Sequence, residues 1–573
     1  MDGKDYIAYF TMEIGLSDSM PTYAGGLGIL AADTVRSAAD IGIRMIAVTL
    51  LHRKGYFRQR LDAAGWQSEE DANWPIAEHL VEMEPRCQVE IEGRSVAVRA
   101  WKYEVKGAGA AVPVLFLDTD IEQNAAEDRA ITDHLYGGDA HYRLCQEMVL
   151  GIGGVRMLRA LGYNEIKRYH MNEGHAALLI LELSYELSRQ AWEMTYELSQ
   201  HTITPELMHL VKPKCIFTTH TPVPAGHDRY PLDMVHRVIT GYRNAFYDRE
   251  QELCPDCVLD MTALALDNSH YINGVAKRHG KVAQQMFSDY DIHSITNGVH
   301  VASWASPPIA RLFDEHIPGW REDNSSLRYA LNLSKRDVWM AHRQAKQQLI
   351  EKVHQLTGAT LAADAFTMGF ARRAAEYKRA DLLFWDIDRL AEIAGSTGSL
   401  QLVFAGKAHP QDDAGKQLIR RIHDAARTLK GKIELVYLED YGIELAKLLT
   451  SGVDLWLNTP QTPLEASGTS GMKAAINGVP SFSILDGWWV EGCIEGVTGW
   501  AIGGDRNATV GGRDLRAEDA RALYNKLEMI ILPMYCNEPD RYAEIMRHAI
   551  ALNASFFNTE RMLSQYITRA YFK

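Results

Sequence analysis

The residues with the clearest chemical potential lie in one stretch, 464–492, which reads LEASGTSGMKAAINGVPSFSILDGWWVEG. A run of small residues there follows a predicted buried strand and leads into a short predicted helix that ends near Gly478. Free backbone amides, hydroxyl groups and the positive end of the helix dipole would converge on one point, which is typical of a phosphate-binding site. The run consists of Ser467, Gly468, Thr469, Ser470 and Gly471.

Lys473 falls in the first turn of that predicted helix, where a positive charge is unfavourable because of the helix dipole. A lysine beside a phosphate cradle suggests a Schiff base to pyridoxal phosphate. A tight strand-to-helix turn with a solvent-exposed lysine would give the same pattern. Ser470 and Lys473 also match the SxxK pattern of serine acyl-transfer enzymes, but no SDN or KTG segment accompanies them, so we discount that alternative.

A second candidate is the cationic segment ARRAAEYKR at 371–379, which follows a predicted strand. Four cations in one loop repel each other unless an anion joins them, so the segment predicts an anion site. Arg372, Arg373 and Lys378 are its candidate residues. A solvated basic rim is the alternative for the whole run, and we interpret Arg379 in that way.

Other features are weaker on their own. The GGLG pattern at 25–28 precedes a helix predicted from Ile29, and it marks a tight turn as often as a ligand loop. His220 ends a predicted strand in the segment TTHTPVP, and this loop position raises the odds of a functional role over those of a buried core histidine. Trp488 and Trp489 are interpreted as core or interface residues that could also shape a cleft beside the 464–492 stretch.

The elements that would position these residues are clearest in the second half of the chain. Short apolar runs alternate there with amphipathic helical stretches, which predicts a parallel, doubly wound sheet covered on both faces. The predicted strands are 366–370, 402–406, 433–438, 453–458 and 481–485, and the predicted helices are 379–393, 414–429 and 443–450.

The first half repeats this α/β pattern less regularly. Strands are predicted at 7–10, 43–51, 112–117 and 215–220, with an added hairpin turning near Gly93. Two such sheets predict a site in the cleft between them, near the carboxyl ends of strands. We predict one domain over 1–320 and a second over 321–573, the second carrying Lys473, with the final helix packing back on the first domain.

Composition excludes several classes of protein. The chain has 573 residues, 46% of them hydrophobic and 23% charged, which excludes fibrous and disordered classes. Its formal net charge of -14 disfavours nucleic-acid binding. No apolar run is long enough for a membrane span and no signal segment is seen, so we expect a cytoplasmic protein. Seven cysteines do not suggest a disulfide framework, and the Cys254–Cys257 pair lacks partners for a metal site.

The 464–492 stretch resembles the coenzyme-lysine signature of the α-glucan phosphorylases, the family of glycogen, starch and maltodextrin phosphorylases. Other blocks agree with that family in the same order, so the resemblance covers nearly the whole chain. They are AYFTMEIGL, YAGGLGILAAD, NEGH, THTPVP, NGVA, TNGVHVASW, ARRAAEYKR, FAGKAHP and LEDYGIELA. The chain departs from the long family members at Arg372, where they have lysine, and at Ser470, where they have glycine.

The resemblance implies a fold and a set of roles. The fold is GT-B-type, with two Rossmann-like domains and a catalytic cleft between them. Pyridoxal 5'-phosphate would be bound by Lys473, Thr469, Ser470, Gly471, Arg372 and Tyr9. The catalytic residues would be Lys473, Arg373, Lys378 and His220. Substrate would be bound by Gly25, Gly26, Leu27, His175, His220, Asn297, Arg373, Lys378, Glu465, Ala466, Ser467 and Gly468.

The implied reaction is a retaining phosphorolysis that converts an α-1,4-glucan and orthophosphate to α-D-glucose 1-phosphate and a chain shorter by one unit. The coenzyme phosphate would relay a proton, no metal would take part, and a homo-oligomer would be compatible with the sequence. Three alternatives stay open: a nucleotide-sugar glycosyltransferase, a glycoside hydrolase using Glu465 with Asp486, and a silent glucan-binding protein.

Overall fold

A computed structural model describes residues 5–195, 203–223, 226–242, 255–504 and 515–573. This part of the chain is a mixed α/β structure with two large sheets, as the sequence predicts. Its strands are β1 Tyr6–Thr11, β2 Met45–Leu50, β3 Arg58–Leu61, β4 Gln67–Glu70, β5 Val81–Ile91, β6 Arg94–Lys106, β7 Ala111–Asp118, β8 Ile166–Asn172, β9 Cys215–Thr218, β10 Arg229–Pro231, β11 Val258–Asp260, β12 Tyr271–Gly274, β13 His293–Ser294, β14 Phe366–Ala371, β15 Leu400–Ala405, β16 Glu434–Leu438, β17 Leu455–Asn458, β18 Ser481–Ile484 and β19 Gly499–Ile502.

The described helices connect and cover these strands. The α-helices span Gly26–Asp40, Ile76–His79, Ala126–Arg129, Ala140–Met148, Gly154–Ala160, Leu179–Thr195, Pro205–Val211, Leu232–Val238, Met261–Asp267, Lys277–Met286, Val301–Trp304, Pro307–His316, Lys335–Thr357, Ile387–Ser396, Asp413–Leu429, Ile443–Gly452, Ser470–Ile476, Trp489–Gly492, Arg516–Lys526, Leu532–Asn537, Pro539–His548 and Thr559–Tyr566.

The six-stranded sheet has the order β16-β15-β14-β17-β18-β19, and all its strand pairs are parallel. The five predicted strands and the helices at 414–429 and 443–450 are confirmed within a few residues, because short apolar runs in alternation with amphipathic helices bury both faces of a parallel sheet. The predicted helix 379–393 begins later, at Ile387. Arg379 has φ +47°, a left-handed conformation that cannot belong to an α-helix.

The nine-stranded sheet has the order β13-β12-β9-β8-β1-β2-β7-β6-β5. It is parallel from β13 to β7, and β6 and β5 add an antiparallel edge. The four predicted strands and the hairpin at Gly93 are confirmed, whereas the strands β8, β12 and β13 were not predicted. Successive β1 residues bury on opposite faces, since Ala8 and Phe10 join one core cluster and Ile7 and Tyr9 another.

The end of the chain packs against the nine-stranded sheet. The hydroxyls of Ser37 and Thr559 lie 2.5 Å apart. The Tyr566 hydroxyl hydrogen-bonds to Thr218 at 3.0 Å, and Tyr571 hydrogen-bonds to His170 at 2.8 Å. Within the described ranges, no helix is both long and apolar enough to cross a membrane.

Candidate functional site

Lys473 lies in the short helix Ser470–Ile476 and is buried, with 7% of the residue exposed. Its Nζ sits 3.9 Å from the ring centroid of Trp304. Burial lowers the pKa of the amine to about 8, and Asp33 only partly offsets that effect. Among the described residues no hydrogen bond or ion pair engages the amine. The alternative of a solvent-exposed lysine is therefore wrong.

Asp33 holds Trp304 in place. Asp33 lies on the helix Gly26–Asp40, which packs against the nine-stranded sheet. The Asp33 carboxylate accepts a hydrogen bond from Trp304 Nε1 at 2.7 Å and one from the His300 amide at 3.2 Å. Asp33 also pairs with Arg36 at 3.1 Å. Trp304 stands in the block TNGVHVASW, but the sequence alone did not single out Trp304 or Asp33, because their contact joins segments about 270 residues apart.

The turn that precedes Lys473 is held in place by backbone contacts. The Glu465 amide donates to Asp486 Oδ2 at 2.9 Å, and the Trp488 amide donates to the Ser467 carbonyl at 2.9 Å. Gly468 has φ +83°, which favours glycine. Trp488 and its neighbour Trp489 are core residues, each at most 2% exposed.

The two departures at Ser470 and Arg372 each have a local setting. Ser470 Oγ accepts a hydrogen bond from Trp456 Nε1 at 3.1 Å, so the hydroxyl ties the helix start to β17. Arg372 Nη2 donates to Glu465 Oε2 at 2.7 Å. The Nε and Nη1 groups of Arg372 are buried and find no partner among the described residues. A buried guanidinium with two unused donors is set up for an additional anion or acceptor.

Glu465 joins the turn to the cationic segment. Its Oε2 also accepts a hydrogen bond from Lys378 Nζ at 2.5 Å. Burial would raise the pKa of Glu465, but Arg372 and Lys378 outweigh it and lower the pKa to about 2. One carboxylate therefore holds two cations of the 371–379 segment at the carboxyl end of β14.

The remaining two cations of the segment have opposite surroundings. Arg373 is exposed and lies near Tyr377 of its own segment and near Tyr56 and Tyr136 from the first half of the chain. Arg379 is 5% exposed, pairs with Asp519 at 2.9 Å and donates to two backbone carbonyls. Our prediction of a solvated rim for Arg379 is therefore wrong, because its side chain is buried against Asp519 and two backbone carbonyls.

The glycine pattern at 25–28 opens the helix Gly26–Asp40, three residues earlier than predicted. Glu13 Oε2 accepts hydrogen bonds from the amides of Ala24, at 2.6 Å, and Gly25, at 3.2 Å. A Cβ at Gly28 would approach Glu13 Oε2 to 2.7 Å, whereas one at Gly25 or Gly26 would meet no protein atom within 4 Å. Gly28 is required by packing, and Gly25 and Gly26 border open space beside Leu27.

His220 follows the end of β9 and is fixed by the NEGH segment. Its Nε2 donates to Asn172 Oδ1 at 2.7 Å, and its amide donates to Glu173 Oε2 at 2.8 Å. Burial lowers the pKa of His220 to about 3, so the imidazole is neutral. Glu173 itself has φ +80°, a strained conformation for a residue with a side chain.

His175 and Asn297 are buried and each leaves one polar atom unused. His175 Nε2 lies 3.3 Å from Asp228 Oδ2, while its Nδ1 has no partner among the described residues. Asp228 is held by Arg143 at 2.8 Å. Asn297 Oδ1 and Ser467 Oγ are likewise buried without a partner. Polar atoms of this kind are usually completed by a ligand or water.

Tyr9 lies in different surroundings. It is 2% exposed, its ring packs edge-on against His170 at 5.0 Å, and its neighbours include Tyr566 and Thr34. These are contacts of a core residue, and its assignment to the coenzyme stays a prediction.

Cys254 lies outside the described residues, and Cys257 is exposed. Within the described ranges, no group of three or more His, Cys, Asp or Glu residues could hold a metal ion.

These features define a class of protein. Two mixed α/β layers contribute a buried amine that no described residue hydrogen-bonds, a carboxylate-bridged cationic segment and the neutral imidazole of His220, which suits an enzyme acting on an anion and a polar neutral substrate. Residues 157–530 match the family model described as carbohydrate phosphorylase. The chain belongs to the carbohydrate phosphorylase family.

Named relatives agree with this assignment. The maltodextrin phosphorylase of Thermococcus litoralis is 36% identical, over 100% of this chain and 71% of its own length. The glycogen phosphorylase of Mycobacterium tuberculosis is 36% identical, over 99% of this chain and 70% of its own. The glycogen phosphorylase of Aquifex aeolicus is 33% identical, over 100% of this chain and 86% of its own.

Proposed function

We propose that the protein is a retaining α-1,4-glucan phosphorylase, which converts a glucan and orthophosphate to α-D-glucose 1-phosphate and a glucan shorter by one unit. The names of its relatives support phosphorolysis of a glycogen or maltodextrin chain. The observation that carries the proposal is the buried amine of Lys473, which has no hydrogen-bond partner among the described residues. We further propose a GT-B-type arrangement, in which Rossmann-like domains over 1–320 and 321–573 enclose the site.

Lys473 would tether pyridoxal 5'-phosphate through its amine. A pKa of about 8 leaves a useful fraction of the amine unprotonated near neutral pH, which covalent attachment requires. The Nε and Nη1 groups of Arg372, which no described residue engages, fit a phosphate group. When bound, the coenzyme would supply a phosphate able to exchange a proton with the substrate phosphate. Its other proposed contacts are Thr469, Ser470, Gly471 and Tyr9.

Arg373 and Lys378 would bind the substrate phosphate. Two phosphate groups side by side repel each other strongly unless fixed cations lie next to them. The guanidinium of Arg373 can offer two parallel N–H groups to one phosphate, and Lys378 adds a compact charge. The open space at Gly25 and Gly26 would let a phosphate approach the backbone closely.

Neutral polar groups, together with the Glu465 carboxylate, would bind the glucosyl unit. A histidine with a pKa near 3 stays uncharged, so His220 can exchange hydrogen bonds with sugar hydroxyls without attracting the phosphate. The buried, unused atoms of His175, Asn297 and Ser467 suit the same purpose. The proposed contacts of the sugar are His175, His220, Asn297, Leu27, Glu465, Ala466, Ser467 and Gly468.

The direct test is incubation of the purified protein with a maltodextrin, with and without orthophosphate. We expect glucose 1-phosphate only when phosphate is present, and proton NMR of the product should show the α anomer. Sugar release without phosphate would indicate the hydrolase alternative, with Glu465 and Asp486. Glucan extension from a nucleotide sugar alone would indicate the glycosyltransferase alternative, and binding without turnover would indicate the silent binder.

A further inference from the structure

The hairpin β3–β4 lies outside both large sheets and bridges from the first half of the chain to the second. Each strand places one glutamine inward. Gln59 is 0% exposed and Gln67 is 1% exposed, although the hairpin is otherwise largely accessible. Two fully buried primary amides in a short surface hairpin are unusual, because a buried amide is costly unless it is fully hydrogen-bonded.

Both side-chain amides are fully hydrogen-bonded, and most of their partners lie in the segments that follow β15 and β16 of the six-stranded sheet. Gln59 Nε2 donates to the Gly406 carbonyl at 2.9 Å and to Gln67 Oε1 at 2.8 Å. Gln59 and Asp440 form a reciprocal pair, in which the Asp440 amide donates to Gln59 Oε1 at 2.9 Å and the Gln59 amide donates to Asp440 Oδ1 at 3.0 Å. Gln67 brackets Ala408, donating to its carbonyl and accepting from its amide, each at 2.9 Å.

The segment that the glutamines hold, 406–408, in turn holds the cationic segment. The Ala374 amide donates to the Lys407 carbonyl at 2.9 Å, and the Arg372 amide donates to the Ala405 carbonyl at 3.3 Å. The two segments approach so closely that a Cβ at Gly406 would lie 2.0 Å from the Arg372 carbonyl oxygen. Any displacement of 406–408 must therefore move the backbone that carries Arg372 and Arg373.

We propose that Gln59 and Gln67 are positioning residues for the phosphate-binding cations. They act through the 406–408 segment and set the place of Arg372 and Arg373 relative to the half of the site that carries Gly25 and Gly26. The inference about phosphate rests on the proposed function, whereas the mechanical link from hairpin to cationic segment does not. Neither glutamine has a direct role in the chemistry.

The test compares three single variants of the full-length protein. Gln59→Met and Gln67→Met keep the approximate volume of the side chain and remove its hydrogen bonds. Arg60→Met is the matched control, because Arg60 lies on the same hairpin and makes exposed ion pairs with Glu70 and Glu439. Two independent glutamine variants keep the test decisive if one fails to fold.

The first readout is hydrogen–deuterium exchange, which needs no activity. We expect the amides of 372–374 to exchange at least about tenfold faster in the glutamine variants than in wild type or Arg60→Met, since a tenfold change corresponds to loss of about one hydrogen bond. Amides of β17 should be unchanged. Unchanged exchange at 372–374 in a folded glutamine variant would overturn the link.

The second readout is the Michaelis constant for each substrate. We expect KM for orthophosphate to rise about tenfold in the glutamine variants while KM for the glucan changes less than about twofold. A general loss of stability would not separate the two constants in this way. Equal changes in both, with wild type active, would contradict the positioning role, whereas a wild type without phosphate-dependent activity would contradict the proposed function and leave the exchange result to decide the link.

Discussion

The two sheets contribute different groups to the candidate site. The six-stranded sheet contributes the cations bridged by Glu465, here called the charged half. The nine-stranded sheet contributes the uncharged imidazole of His220, after which we call it the neutral half, together with the Arg143–Asp228 ion pair beside His175. In the first, Glu465 with a pKa of about 2 bridges Arg372 and Lys378. In the second, His220 has a pKa of about 3 and remains uncharged. The difference suggests a division of work between side chains, in which Arg373 and Lys378 of the charged half hold the substrate phosphate and His220 of the neutral half holds sugar hydroxyls. The following predictions test that division, beginning with the largest expected effect.

Arg379 shows what a cation of the same segment does when it is structural. Arg379→Ala would remove the buried ion pair with Asp519 and two hydrogen bonds to backbone carbonyls, which we expect to cost about 3–5 kcal/mol of the free energy of unfolding. Urea unfolding measures this loss, with Arg541→Ala as the control, because Arg541 is exposed and makes only a surface ion pair with Glu538 at 3.2 Å among the described residues. If the free energy of unfolding of Arg379→Ala lay within about 1 kcal/mol of wild type, the structural role of Arg379 would be contradicted and the interpretation as a solvated residue would be favoured.

Arg373 and Lys378 should affect catalysis instead. We expect Arg373→Ala and Lys378→Ala each to reduce phosphorolysis and the reverse reaction about a hundredfold, because a contact that strengthens in the transition state is worth about 3 kcal/mol. Coenzyme content should stay near that of wild type. Steady-state kinetics at full coenzyme occupancy checks this, and normal phosphate dependence in both variants would show that the charged half does not bind the substrate phosphate.

His220 offers the opposite substitution, in the neutral half. His220→Ala should raise KM for the glucan about tenfold, the cost of about one neutral hydrogen bond, with KM for orthophosphate nearly unchanged. Substitutions in the charged half would then affect the use of orthophosphate, and the substitution in the neutral half would affect the binding of the glucan. If His220→Ala changed the phosphate constant more than the glucan constant, the proposed division would fail.

The free energy of unfolding should also depend on pH through His170, a buried histidine of β8 in the nine-stranded sheet. Burial lowers the pKa of His170 to about 3, from an ordinary value of 6.5. The unfolded chain therefore takes up a proton first, and the stability this residue contributes is full above pH 6.5 and is lost as pH falls toward 3. At pH 5.5 the loss is about 1 kcal/mol. Glu465 loses its contribution only below about pH 4.5, so it does not act in this range.

The measurement compares the free energy of unfolding at pH 7.5 and pH 5.5. We expect the difference between these pH values to be about 1 kcal/mol smaller in His170→Gln than in wild type. His293→Gln, which alters a histidine with 46% of its side chain exposed, serves as the control for a histidine-to-glutamine substitution at an accessible position. An equal pH dependence in His170→Gln and wild type would contradict the assignment of a neutral, buried imidazole.

The sequence predicts those parts of the site that are continuous along the chain. Lys473, the turn before it and the 371–379 segment each follow a strand with a strong apolar signal, so local pattern and motif agree. The contact of Trp304 with Asp33 and the burial of the two glutamines in the β3–β4 hairpin escaped prediction, because each depends on a contact between segments distant in sequence. No local periodicity reports such pairs.

Arg379 illustrates the second limit. The residue types in ARRAAEYKR do not distinguish a cation that binds a ligand anion from one that forms a structural ion pair within the protein. The distinction comes from the burial of the Arg379 side chain and from its ion pair with Asp519, which lies 140 residues further along the chain. The sequence therefore identifies the cationic segment as a whole but does not show which of its cations is structural.

The central claim is that Lys473 tethers pyridoxal phosphate where the charged and neutral halves meet. Borohydride reduction of the purified, coenzyme-saturated protein, followed by peptide mass mapping, tests this claim directly. We predict that the mass of the reduced coenzyme is found on the peptide containing Lys473, and that Lys473→Ala acquires none. Labelling of a different lysine, or of no lysine at full saturation, would contradict the account.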